Sequence, residues 1–171
     1  ITVERGLFSS IEEHEIIDRY FYEYNFNSVV SYGFIKPETK LKEFITKLTG
    51  ITNEDLINAD DNYDNIKNDM NKILKYCINP LFIGHNSNNF DLKVLEYNDI
   101  LNLKDILKAD SMIFLRQFNI GCKTNKLIDH YNFIFDTIIE QTHQAKGDTI
   151  LIVEICKKLN LTSDKLLFLH C

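Results

Sequence analysis

The 171-residue chain has only two prolines and four cysteines, and no two cysteines form a C-x-x-C pair. That lack argues against a structural zinc site. Cys77, Cys122, Cys156 and Cys171 are widely spaced, which fits free thiols in a reducing compartment such as the cytoplasm or nucleus. The sequence also lacks any apolar run near the ~20 residues that a membrane span requires, and it has no secretory leader pattern. Excess positive charge is absent: 19 Lys and Arg stand against 25 Asp and Glu, a net charge of −6. A protein that coats duplex DNA by charge alone is thereby excluded. An enzyme that holds a few nucleotides is not, because cations bound by carboxylates reverse the local sign. The chain starts at Ile1 rather than at a methionine, which leaves open whether residues precede it. Neither an internal repeat nor a low-complexity linker divides it, so a single domain over residues 1–171 is expected. Hydrophobic residues at 44% and charged residues at 26% suit a globular protein. The abundance of Asn, Ile and Lys reflects genome base composition.

What is present reads as alternating structure. Residues 1–4 form the end of a strand, followed by a loop "GLFSSIEEH". "EIIDRYFYEY" and "SVVSYGFI" are β-branched and aromatic runs separated by the turn-like "NFN", and they predict a hairpin that Pro37 ends. Thr52, followed three positions later by Asp55, resembles a helix N-cap signal. Ile66, Met70, Ile73, Leu74 and Cys77 have helical spacing, and the short run "PLFIG" predicts a buried strand. "DLKVLEYNDIL" predicts a helix and "ILKADSMIFL" a strand and turn. A last helix runs over "DTILIVEICKKLN", with Ile150, Leu151, Val153, Ile155, Cys156 and Leu159 as its apolar residues. Three strands followed by alternating helices and strands imply an α/β fold, a mixed sheet with helices on its faces. In such sheets ligands gather beyond the carboxyl ends of the strands.

Three polar clusters fall there. In "TVERGL", Glu4 ends the first strand and Gly6 opens the loop, where a missing side chain lets a ligand approach the backbone. Glu4 reads equally as a surface carboxylate at a strand end. In "GHNSNNFDLKVL", a strand ends at Gly84 and Asp91 opens a helix, either capping free amides or aiming at a cation. Asn86 either contacts a substrate or braces its loop. In "THQAKGD", His143 lies on a loop before a helix that starts at Asp148. That is either a capped helix beside a surface histidine or a base one loop away from a cation ligand.

Taken together, "TVE", "HNSNNFD" and "HQAKGD" resemble the three motifs of the DEDDh family of 3′–5′ exonucleases, most closely the three-prime repair exonuclease branch. "IKPETKLKEFITKLTGIT" is similar to that family's "KP…TGIT" segment, and the likeness spans roughly residues 2–160. The resemblance implies a ribonuclease-H-like fold with a mixed five-stranded sheet, three antiparallel strands and then two parallel. It implies hydrolysis at a nucleic acid 3′ end with release of mononucleotides, single-stranded DNA being the favoured substrate and RNA an alternative. Two divalent cations, Mg2+ or Mn2+, would sit ~3.5–4 Å apart, held by oxygen ligands. Glu4, Asp91 and Asp148 match three of the family's four ligands. His143 matches the general base, whose imidazole pKa lies near working pH. Gly6, Leu7 and Asn86 match positions at the terminal nucleotide, and Lys123, Lys126 and Lys146 are candidates for phosphate contacts. A homodimer through the aromatic strand at 20–24 is also implied, and no membrane association.

The first motif departs from the family. Thr2 stands where the family has an aspartate, and only Arg5 separates Glu4 from Gly6. Threonine supplies no anionic bridging oxygen. Three explanations stay open: a catalytically impaired domain that still binds nucleic acid or acts as a scaffold, a substitute carboxylate from Glu12, Glu13 or Glu15, or a changed position.

Overall fold

The computed structural model describes residues 1–4, 14–25, 27–118 and 121–170, with side chains described except at 2–4 and 168–170. Gly6, Leu7, Glu12, Glu13 and Cys171, together with the side chains of Thr2 and Glu4, therefore lie outside what is described.

Strand β1 (Thr2–Glu4) pairs antiparallel with β2 (Glu15–Glu23), Thr2 opposite Asp18 and Glu4 opposite Glu15. β2 pairs antiparallel with β3 (Ser28–Phe34) through a register shift between Phe21 and Tyr22. Asn27 closes the turn at φ 55°, a left-handed conformation that asparagine tolerates well. Helices α1 (Glu43–Thr49) and α2 (Asp64–Tyr76) follow. Gly50 ends α1 at φ 74° and donates its amide to Thr46, the left-handed cap that glycine adopts without a side-chain clash. Then come β4 (Leu81–Gly84), α3 (Asp91–Tyr97), β5 (Leu107–Asp110), α4 (Ser111–Phe118), α5 (Leu127–Phe135), α6 (Ala145–Lys158) and α7 (Ser163–His170). β4 and β5 form a parallel pair with Leu81 opposite Leu107 and Gly84 opposite Asp110.

Alternation along β4 sets the layers. Phe82 packs on one side against Ile66, Met70, Leu92 and Leu95 of α2 and α3. Leu81 and Ile83 pack on the other against Phe114, Leu127, Leu151 and Ile155 of α4, α5 and α6. Successive side chains of a strand point to opposite faces, so this places helices on both sides, as the element order predicts. Ile16 and Ile17 divide in the same way, Ile17 entering a third cluster with Leu41, Ile45, Ile51 and Leu56 beneath α1.

The expected five-stranded sheet is not formed among the described residues. Two sheets are present, β1-β2-β3 and β4-β5. The reason is the reach of β1: its pairing with β2 stops at Asp18, leaving the Arg19–Glu23 side of β2 facing the free edge of β4. A cavity of about 710 Å³ separates them, lined by Tyr20, Phe21 and Tyr22 on one side and Leu81, Phe82 and Ile83 on the other. For the same reason β4 is half-exposed rather than buried.

Other expectations change as well. The strand holding residues 20–24 is not an outer edge, because β3 covers it; Val29, Tyr32 and Phe34 on β3 are the exposed residues. Thr52 and Asp55 do exchange hydrogen bonds at 2.8 and 3.3 Å, but they close a turn and start no helix. The segment after β5 is helical. Cys77 falls after α2 and is exposed, and Ile150 points outward from α6. No helix among the described residues is long and apolar enough to cross a membrane.

Candidate functional site

Two glycines and two aspartates shape the site from below. A Cβ on Gly84 would lie 2.5 Å from the Ser87 Cβ, so only glycine lets the chain fold back at the end of β4. The returning loop is then held by Asp110, whose buried carboxylate accepts from the amides of Asn86 at 2.7 Å, Asn88 at 3.2 Å and Met112 at 3.0 Å. Asn86 sits in the left-handed region at φ 59°, a strained conformation that these bonds help to impose. Asp91 follows at the first position of α3.

The third motif is placed by a strand far away in sequence. Helix α6 begins at Ala145, not at Asp148, and its N-cap residue Gln144 provides no side-chain cap. The cap comes from Asp18 on β2, whose Oδ2 accepts from the Ala145 amide at 2.9 Å. Free amides at a helix start favour an anionic acceptor. Thr149 adds a bond to the Tyr20 carbonyl, and Gln144 Nε2 donates to the Thr49 carbonyl at 2.8 Å. Asp148 is thus in the first turn of α6 rather than at its start. A Cβ on Gly147 would collide with Thr142 Oγ1, so this glycine lets the loop pack on the helix. His143 stands on that loop at φ 53°, exposed.

These elements bring Asp91, Asp148, Gln141 and Asn86 to the rim of the 710 Å³ cavity. A second cavity of about 540 Å³ adjoins it, sharing His85, Asn86 and Gln141 and adding His143 and Lys126. Asp148 Oδ1 is buried and has no hydrogen-bond partner. Burial holds the Asp148 carboxyl above the ordinary carboxylate range, and the charge of Asp91 adds to this. The hydrogen bond from Gln141, the imidazole of His143 and the Ile1 amino group act in the opposite direction. That amino group lies 3.2 Å from Asp91 Oδ1, so a positive group already stands beside both acids. An orphaned buried oxygen, a second carboxylate and an ammonium between them are the donor set and charge that suit a hard cation.

Asp91, Asp148, His143 and Asn86 are therefore brought together. Lys123 and Lys146 are exposed. Glu15 is directed elsewhere, its carboxylate accepting from the Glu38 amide at 2.7 Å, so it is not the substitute carboxylate. Among the described residues no three His, Cys, Asp or Glu side chains form a ligand cluster.

Sequence reasoning missed Asp18, Asp110, Gln141 and His85. His85 bridges Ser111 Oγ at 2.9 Å and the Asn125 carbonyl at 2.7 Å, with its ring 6.5 Å from that of buried His130. Burial lowers the His130 pKa, and His85 lowers it further. A depressed folded-state value means that the unfolded chain takes up the proton first as pH falls. Stability from this residue is complete above the ordinary histidine value near 6.5 and is lost as pH falls below it. Thermal unfolding at pH 7.5 and pH 5.5 checks this: the midpoint is expected to fall with acidification, and less so in His130→Gln.

The exonuclease family model (RNase_T) matches residues 27–161, most of the chain, covering the second and third motifs but not the first. An uncharacterized exonuclease of Acanthamoeba polyphaga mimivirus is 24% identical over 152 residues, covering 86% of this chain and 46% of its own length. The chain thus spans about half of that relative. Among solved structures, exonuclease X in complex with 5′-overhanging duplex DNA has a TM-score of 0.51 at 14% identity, covering 84% of each chain. The zinc-bound E. coli exonuclease I complex with single-stranded DNA has a TM-score of 0.56 at 15% identity, covering 82% of this chain and 35% of that one. At these identities the two structures speak to the α/β exonuclease fold. With the family model matched across both intact motifs, the chain belongs to the exonuclease family.

Proposed function

We propose that the chain is a metal-dependent 3′–5′ exonuclease that removes mononucleotides from nucleic acid 3′ ends, single-stranded DNA before RNA. The observation that carries this reading is the buried, unpartnered Oδ1 of Asp148 beside Asp91, with His143 in electrostatic reach. Asp91, Asp148 and Glu4 would hold two divalent cations, Mg2+ or Mn2+. When bound, these cations supply charge neutralisation at the scissile phosphate and Lewis-acid activation of water. His143 takes a proton from the attacking water, a task suited to an imidazole near neutral pH. The water oxygen bonds to phosphorus, the bond to the 3′ oxygen of the preceding nucleotide breaks, and that oxygen leaves with a proton. The products are a nucleoside monophosphate and a strand shortened by one nucleotide. Asn86 on the shared rim, with Gly6 and Leu7, would contact the terminal nucleotide, and Lys126 a backbone phosphate. Exonuclease family membership and the DNA-bound exonuclease neighbours support nucleic acid as the substrate.

Thr2 favours a second reading, an impaired domain that binds a 3′ end without cleaving it. One experiment separates the two: a labelled single-stranded oligonucleotide incubated with the protein, with Mn2+ or with chelator. The first reading expects mononucleotide release that chelator stops, and a further rise of ~10-fold or more in Thr2→Asp, since a bridging carboxylate is restored. No release from either protein in Mn2+ would leave the binding reading, and failure to bind the oligonucleotide would remove both.

A further inference from the structure

Gln141 lies at the meeting point of the two cavities, one holding Asp91 and Asp148 and the other His143. Its side chain hydrogen-bonds the Asp148 carboxylate. Because Asp148 Oδ1 has no partner, the amide of Gln141 occupies the other oxygen and leaves Oδ1 open toward the acids. We propose that Gln141 is a positioning residue, tethering the His143 loop to Asp148 so that the imidazole stays over the carboxylates. The inference rests on the exonuclease reading of the site.

The rest of the loop shows why such a tether is needed. At one end Asn132 holds Ile139 on both sides, accepting from its amide at 3.0 Å and donating to its carbonyl at 3.1 Å. At the other end Gln144 and Ala145 are bound to Thr49 and Asp18. Between these anchors the chain crosses Glu140, Gln141, Thr142 and His143, and the imidazole itself is exposed. A left-handed backbone at a residue other than glycine costs free energy and persists where its surroundings impose it. His143 at φ 53° is two residues from Gln141, whose bond to Asp148 is the attachment on the side of the acids. The amide is well suited to this. It is a neutral donor, so it fixes one carboxylate oxygen without bringing a competing cation to the other.

The test compares wild type with Gln141→Leu, and with Gln141→Met, which keeps the length of the side chain but not the donor. Backbone 15N relaxation, recorded without metal, reads the tether directly. Residues 141–143 are expected to be as rigid as the helices in wild type (order parameters of ~0.85) and to fall below ~0.6 in both variants, with α6 unchanged. In the Mn2+-dependent assay, kcat is expected to drop ~10- to 100-fold with the oligonucleotide KM changed less than about threefold, the result of misplacing one reacting group. Unchanged order parameters, or a loss confined to KM, would overturn the proposal. Relaxation needs no turnover, so an inactive wild type would count against the exonuclease reading while the order parameters still decided whether Gln141 is a tether.

Discussion

Asp148→Asn is expected to reduce Mn2+-dependent release of mononucleotides by ~10³-fold or more while raising the melting temperature of the metal-free protein. The two effects share one cause. The fold buries the Asp148 carboxylate, leaves Oδ1 without a partner and sets Asp91 nearby, all of which disfavour the charged form. The sign follows from linkage: a folded-state pKa above the unfolded value means that stability is greatest with the proton on and is lost as pH rises through the folded value. At neutral pH the ionised group therefore opposes folding, and a neutral amide of the same shape relieves that opposition. The same substitution removes the anionic oxygen on which cation binding depends. His143→Ala is expected to lower kcat by about 10²- to 10⁴-fold, the range of a lost general base, without the gain in stability, because the imidazole is exposed. Chelator-treated melting curves alongside the oligonucleotide assay check both variants. Full activity in either, or an Asp148→Asn protein that melts lower than wild type without metal, would count against the site.

Asp110→Ala is expected to have the largest effect on stability, a loss of about 3–5 kcal/mol. The carboxylate is buried and takes three backbone amides, from Asn86, Asn88 and Met112. Bonds to a charged acceptor are stronger than neutral ones, and their loss leaves amides unsatisfied in a place water reaches poorly. For a chain of this length that corresponds to a fall in melting temperature of roughly 10 °C. The damage should not stay local. The loop freed is the one that carries Asn86 and leads into α3 with Asp91, and Met112 is in the first turn of α4. A variant that melts within 2 °C of wild type by calorimetry would show that water or neighbouring side chains replace the carboxylate.

Why Asp110 escaped a sequence reading is instructive. The run "ILKADSMIFL" reads as strand and turn, and nothing in it says that an aspartate at the strand end will be claimed by amides 22 and 24 residues earlier. Asp18 is a sharper case, because it caps a helix 127 residues away. Seen only locally, Asp148 after Gly147 is the natural helix start, yet the helix begins three residues earlier because its first amide has a partner on β2. Local signals worked where the cause is local. The spacing of Ile66, Met70 and Ile73 located α2, the apolar run of Leu81–Gly84 located β4, and the apolar residues from Leu151 to Leu159 located most of α6. Helices α1, α5 and α7 were missed; their stretches carry no clear periodic signal, and packing against the rest of the chain decides them. The motif residues were legible because each pair is a few positions apart. Their tethers were not, because those come from other elements.

The open seam between β2 and β4 gives the two acids a mechanical meaning. Asp148 belongs to α6, which is bound to β2 by Asp18 and Thr149, whereas Asp91 opens the helix that follows β4. The carboxylates therefore sit on opposite banks of a gap that no ladder of backbone bonds spans. Whatever positive group rests between them acts as a rivet, and its affinity is felt as cohesion of the whole domain, about 2.7 kcal/mol at a hundredfold excess over its dissociation constant. Emptying the site would unfasten the halves.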